Sequence, residues 1–537
     1  MRCNFIAMRY RAAILGAFLA SGLNAQPFYP DDPIVAEPDP MRVEDVEYRK
    51  LNDHFDLFSH LFGKLGEQHP PKGDPIRAQS TNTLDEVPDN RAWFTNRIGA
   101  KAITPHQAAL GPGNSRGPAD GDWTIVAAKT EGVTPGFRIK DSTGQQYVLK
   151  FDPLDHPEMA TAADVIGSLL FHGLGYNVPE NYVVEFDDDR LVIDEGATIP
   201  DNKGYDRPIE RFDVQHALLR VPRAANGMIR GVASRLLSGK IAGEFRYYGT
   251  RSDDHNDTVP HEHRRELRGL HVFCAWLNHN DSRAINDLDS LVDEGSLRYV
   301  KHFLIDFGAI LGSASILSNT ARDGNAYFYE RGPAAKQFIT LGLFVPRWAR
   351  AKYYKSEAVG MANWDKFDPE DWKPNYPSPA FDNRLPDDNF WAAKKVMAFT
   401  DEHIRAIVKR GKYSNPEDEE WTVRYLAERR DRIGKRYFAG VLPVDELRVA
   451  NGKLAFEDLA VKYGFGEKQD YQIEWSVYDN KADSLQAISG ARGSDVPSSN
   501  SDYIVATLSL ADDPRHTLVY LRNGSSGRKV VGVKRFW

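Results

Sequence analysis

Cysteine is nearly absent: 537 residues hold only Cys3 and Cys274. If Cys3 leaves with a leader, no disulfide can form within the chain. Stability must then come from the core, which a chain this long can supply. A basic excess is missing too. Lys and Arg number 68 against 76 Asp and Glu, a net charge of −8, and three of those arginines lie in the first 25 residues with no acid beside them. A general footprint for nucleic acid is thereby excluded, and the bulk charge disfavours anionic membranes. Long apolar runs are also lacking; nothing approaches the roughly 20 residues a spanning helix needs. G-x-S-x-G does not occur, and His261-Glu262 is not followed by the second His of H-E-x-x-H, because position 265 is Arg265.

At 41% hydrophobic and 27% charged residues the chain has ordinary globular composition, and its length predicts two or three domains. Arg2, Arg9 and Arg11, the apolar run Ala12–Ala20 and a small-residue site at Leu23-Asn24-Ala25 read as a secretory leader. The alternative is an uncleaved anchor. Export to a periplasm or outside the cell is the expectation. Residues 26–119, rich in Pro, Asp and His, read as a linker wrapping the main domain, with one short helix near Asp53–Leu65.

Strand patterning starts at Trp123–Ala128, and glycine turns lead into Phe137–Lys140 and Gln146–Phe151, two antiparallel hairpins. Pro157–Gly173 reads as a helix, Asn181–Glu185, Arg190–Asp194, Gly227–Leu237 and Ile241–Tyr248 as strands. Past Pro260, Leu267, Leu270, Cys274 and Leu277 recur at helical steps. Asn389–Phe399, Asp401–Lys409 and Pro416–Phe438 are further helices, with Thr400 and Asn415 as N-caps of the last two. Beyond Pro443 alternation returns, and a hairpin turning at Asn523-Gly524 ends a β-sandwich-like module.

Three stretches carry chemistry. Val148-Leu149-Lys150 ends an apolar strand in a lysine. His279-Asn280-Asp281 follows the buried helix, with Arg283 two and Asn286 five residues past the Asp. Asp306-Phe307-Gly308 ends a second apolar strand, Tyr299–Ile305. A carboxylate at such a strand end can bind a hard cation, and magnesium favours one or two carboxylates with phosphate oxygens, which suits Asp306 with the Asn286 carbonyl. Asp281 can accept or orient a hydroxyl proton while Arg283 meets developing charge. The bland readings are a capped surface turn for Asp281 and Asn286, a strand-ending turn for Asp306 and a solvated edge for Lys150. Lys150 needs an acidic partner on the next helix. Asp164 and Glu158 are both available, and Asp164 is preferred because Glu158 suits a first-turn charge.

In this order the motifs resemble the protein-kinase-like superfamily over about residues 120–440. The resemblance is nearest to its atypical branches: HipA-type serine kinases, phosphatidylinositol kinases, and secreted or spore-coat kinases. It implies an α+β, two-lobed protein-kinase-like fold, here with a C-terminal all-β, sandwich-like module. The expected domains are a leader (1–25), the wrap (26–119), a small lobe (120–240), a large lobe (241–442) and the β module (443–537). The implied activity is transfer of the ATP γ-phosphoryl group to a hydroxyl of a protein, glycan, lipid or small molecule. Asp281 and Arg283 would be catalytic, Asn286 and Asp306 would hold Mg2+, and Lys150, Asp164, Gly132 and Gly136 would bind the nucleotide. Departures are the lack of a full G-x-G-x-x-G, the lack of A-P-E after D-F-G, Asp in place of Glu at 164, and a long stretch between Lys150 and Asp281. Some members transfer AMP instead. Two other readings are an inactive pseudokinase serving as a binding scaffold, and a metal-dependent hydrolase built on Asp253, Asp254, His255, Asp257, His261, Glu262 and His263.

Overall fold

The computed structural model describes residues 26–63, 75–113, 116–129, 136–201, 203–224, 226–341, 343–525 and 527–537. The expected leader and Gly132 lie outside them.

β1 (Trp123–Ala128), β2 (Gly136–Lys140), β3 (Gln146–Phe151), β4 (Asn181–Phe186), β5 (Leu191–Pro200), β6 (Asp206–Pro208) and β7 (Ile229–Arg235) form one sheet, ordered β4-β7-β3-β2-β1-β5-β6. The two hairpins are antiparallel as expected, but β5 runs parallel to β1, so the sheet is mixed. Only four residues, 187–190, with the turn Asp188–Arg190 among them, separate β4 from β5, although they lie far apart in strand order. The sheet must therefore curl, and Trp123, Phe151 and Phe186 fill its interior.

Two short N-terminal helices, α1 (Asp53–Phe58) and α2 (Pro105–Leu110), precede this sheet; a single π turn, Ser59–Gly63, extends the first. α3 (Met159–Leu174) packs on the sheet and is buried on nearly every side. α4 (Arg211–Leu218) inserts Val214 and Leu218 into the sheet core. The other lobe holds β8 (Lys240–Gly243), β9 (Asp287–Glu294) and β10 (Leu297–Leu304) in an antiparallel sheet with β9 central. The strand expected over Ile241–Tyr248 ends at Gly243. There the N-terminal segment crosses, with Arg49 N–H donating to Ala242 O at 3.0 Å. A Cβ at Gly243 would fall 1.6 Å from Arg49 O, so the crossing needs glycine at φ 87°.

α5 (Arg265–Leu277), α6 (Arg331–Ile339) and α7 (Pro379–Asp382) come next, and α5 is wholly buried, packed on α7 and on the first and last of the three helices that follow. These are α8 (Pro386–Met397), α9 (Asp401–Val408) and α10 (Pro416–Phe438). Thr400 and Asn415 cap α9 and α10 as expected. α8 starts three residues before the expected Asn389, because Asp388 accepts from Leu385 N–H at 2.9 Å and caps the earlier turn. A small hairpin, β11 (Tyr354–Ser356) and β12 (Gly360–Ala362), lies between α6 and α7.

In the C-terminal module the hairpin β13 (Val444–Ala450) and β14 (Lys453–Asp458) covers a five-stranded antiparallel sheet. Its strands are β15 (Gln472–Asp479), β16 (Ser484–Arg492), β17 (Tyr503–Leu510), β18 (Asp513–Gly524) and β19 (Gly527–Phe536). The last turn falls beyond the expected Asn523-Gly524: Asn523 pairs with Arg528, and Gly524 with Gly527. The whole is a mixed α+β molecule, and no described helix is long and apolar enough to cross a membrane.

Candidate active site

Tyr147, Leu149 and Phe151 alternate into the curled sheet's core, so strand period turns Lys150 to the other face, toward α3. There its ammonium pairs with Asp164 and lies 3.1 Å from Asp306 Oδ1. Asp164 has more partners than this lysine. Its Oδ1 accepts from Asn181 Nδ2 of β4 at 2.9 Å and from Phe307 N–H at 3.2 Å. One buried carboxylate thus joins β3, β4 and the D-F-G turn. Glu158 instead occupies the N-cap of α3 at φ 73° and accepts from Ser414 N–H at 2.9 Å.

Phe307 is buried against α3, where a Cβ at Gly167 would come within 2.6 Å of it. Its ring stacks on Phe171 at 5.0 Å, and His279 meets Phe171 edge-on at 5.9 Å. Asp306 itself has φ 59°, a left-handed conformation that Asp tolerates better than most residues. About 49% of its side chain is exposed to the cleft, against 15% for Lys150. The Lys150 ammonium holds the Asp306 carboxyl below its usual range. Burial alone would lower Lys150, but Asp164 and Asp306 outweigh it and raise the ammonium's pKa.

On the facing wall, α5 ends at Asn278, left-handed at φ 54°. His279 then turns inward, and burial pushes its imidazole pKa down. Asp281 is held from three sides. Asn286 Nδ2 donates to Asp281 O at 2.7 Å and to Oδ2 at 2.9 Å. Asn375 Nδ2 donates to Oδ1 at 3.1 Å, and Arg283 Nε pairs with that oxygen at 2.8 Å. Arg283 also reaches Asp53 of α1 at 2.5 Å, which Tyr376 O–H approaches at 3.2 Å.

Lys129, Lys150, Asp281, Asn286, Asp306 and Asn375 share one cleft of about 480 Å³, the size of a small-molecule site. Gly136 sits opposite Lys150 across the β2–β3 ladder and packs against Leu149 O; the nearby cleft wall comes from Lys129. Asn375 and Asp53 had no signal in the sequence, because each acts through a partner far along the chain, and Asn181 was legible only as the start of a strand.

The ligand-rich stretch 253–263 is not an open metal or substrate surface. Asp253 pairs with Arg49 and Arg251, and Asp257 with His261 at 2.8 Å, while the backbone of Met41 and Glu47 covers the loop. Arginines meet the carboxylates there, and among the described residues no group of three or more His, Cys, Asp or Glu is arranged to hold a metal.

No protein-family model matches the chain, and no curated protein matches it. Two solved structures of Golgi casein kinase resemble it. One, with Mn and ADP bound, has a TM-score of 0.30 and 8% identity over 76% of this chain and 94% of that one. The other has a TM-score of 0.30 and 10% identity over 76% and 96%. At this degree of likeness neither bears on what the chain binds.

Proposed function

We propose that the chain is an exported, kinase-like phosphotransferase that moves the γ-phosphoryl group of ATP to a hydroxyl acceptor. The observation that carries the reading is a single cleft with the Lys150–Asp164–Asp306 cluster on one wall and Asp281 with Asn286 on the other. Lys150 would hold nucleotide phosphates while Asp164 keeps it charged and aimed. A carboxylate offers about four acceptor positions. Asn286 and Asn375 occupy two on Asp281 and Arg283 pairs with it, which leaves room for an acceptor hydroxyl. As the acceptor oxygen bonds to phosphorus and the β–γ bridging oxygen leaves, the hydroxyl proton passes to Asp281. Arg283 orients Asp281, since two carboxylates already take up its charge.

The residues fit a magnesium ion. Asp306 presents a half-exposed carboxylate, and Asn286 uses its amide N–H on Asp281, so its carbonyl oxygen can serve a cation. Bound there, magnesium would neutralise phosphate charge.

The test is ATP turnover and γ-phosphoryl transfer by the native chain and Asp281→Asn. The variant should lose roughly 10²–10⁴ in rate while binding nucleotide normally. Nucleotide binding without turnover in the native chain would establish the binding-scaffold reading instead.

A further inference from the structure

Residues 331–355 contain six cations, Arg331, Lys336, Arg347, Arg350, Lys352 and Lys355, and no Asp or Glu, in a chain whose net charge is −8. The segment runs from α6 through a loop to β11, and four of its described apolar side chains point into water. Phe338, Ile339, Leu341 and Leu343 are 84%, 79%, 89% and 85% exposed. Single exposed apolar residues are ordinary on a protein surface, but four within six positions form a patch that demands a partner. Lys336, Arg347, Arg350, Lys352 and Lys355 are exposed along the same segment, and the Lys336 ammonium lies 3.8 Å from the Phe344 ring centre. Of the nearby acids, Glu330 is paired with Lys373 at 2.7 Å, and Asp365, which accepts from Lys352 N–H at 3.3 Å, lies beside Lys366.

A segment that joins exposed apolar residues to a run of cations and a tryptophan (Trp348) has the pattern of an interfacial membrane anchor. We propose that residues 331–355 dock the protein on an anionic lipid bilayer. The apolar tip enters the boundary between headgroups and acyl chains, and the cations meet anionic headgroups. A second copy is the poorer occupant, because it would bring one run of cations against another. The acidic remainder of the surface is repelled by the same bilayer, so attachment is confined to this segment and sets the molecule's orientation. Phe328, ten residues before Phe338, lines the candidate active cleft, so docking would hold that cleft near the membrane. The inference is independent of what the cleft does.

The test is co-sedimentation of the full chain, as recovered from its expression host, with vesicles of phosphatidylcholine alone or mixed with phosphatidylglycerol. Binding should favour the anionic vesicles by roughly tenfold or more and weaken with salt. Leu341→Ser/Leu343→Ser and Arg347→Glu/Arg350→Glu should each reduce binding at least about tenfold, with unchanged melting curves. Leu219→Ser, at a 78% exposed leucine of the other lobe, should bind as the native chain does. Equal binding to neutral vesicles, insensitivity to both double variants, or equal loss in Leu219→Ser would overturn the proposal. So would self-association abolished by Leu341→Ser/Leu343→Ser in a chain that binds no vesicle, which would assign the patch to a second copy.

Discussion

Asp164 is buried and accepts from Asn181 and Phe307 while it neutralises Lys150. Asp306 meets the same lysine but stands half in solvent. The two carboxylates should therefore separate in urea denaturation. Asp164→Asn leaves the mostly buried ammonium with only the half-exposed Asp306 and should cost about 3 kcal/mol, whereas Asp306→Ala should change stability by less than about 1 kcal/mol. Equal effects would mean that Asp164 is not the structural member of the cluster. Asn375 makes one bond to Asp281, and Asn375→Ala should lower kcat roughly tenfold at unchanged nucleotide KM. A change confined to KM would remove its positioning role. Lys150, Asp281, Asn286 and Asp306 were legible because each sits in a short local pattern whose order carries meaning. Asn375 and Asp53 were not: one lies in a loop and the other on a short N-terminal helix, and only tertiary folding sets them beside Asp281 and Arg283.

Among the elements, α1 has the most exposed task, since it holds Arg283 from outside the two lobes. It is seated by the turn after it, where His60 stacks on Tyr376 at 5.9 Å and meets Tyr248 edge-on at 5.6 Å. Burial depresses the His60 imidazole to about 4. A histidine whose folded pKa lies below its unfolded value near 6.5 adds stability above pH 6.5, and that stability is lost as pH falls toward 4. Native protein and His60→Gln, compared by urea denaturation, should therefore diverge across this window. The native chain should lose up to about 1.4 kcal/mol per pH unit more than the variant. Parallel pH profiles would mean that His60 does not titrate on undocking. α3, α5 and α10 were legible from apolar spacing and caps. The short reach of β8 was not, because what ends it is the N-terminal segment crossing at Gly243, a contact between residues almost 200 positions apart.

At the scale of the molecule, that segment ties the parts together. Phe28 packs among Tyr478, Tyr503 and Tyr520 of the β module, Val43 and Val46 cover Leu291 and Val300, and Asp53 ends at Arg283. Its seat in the β module had no signal in the sequence, since one phenylalanine among prolines says nothing locally of three distant tyrosines. The curl of the first sheet escaped for a similar reason: strand patterns reveal which residues are buried, and say little about how strands are ordered. If the cleft is a magnesium-dependent nucleotide site, as proposed, thermal unfolding with ATP reveals it most directly. At ATP about a hundredfold above its Kd the native chain should gain about 2.7 kcal/mol, an upshift of a few degrees, with magnesium and not without it. Asp306→Ala should lose the shift. A shift that needs no magnesium, survives in Asp306→Ala, or never appears would contradict the account.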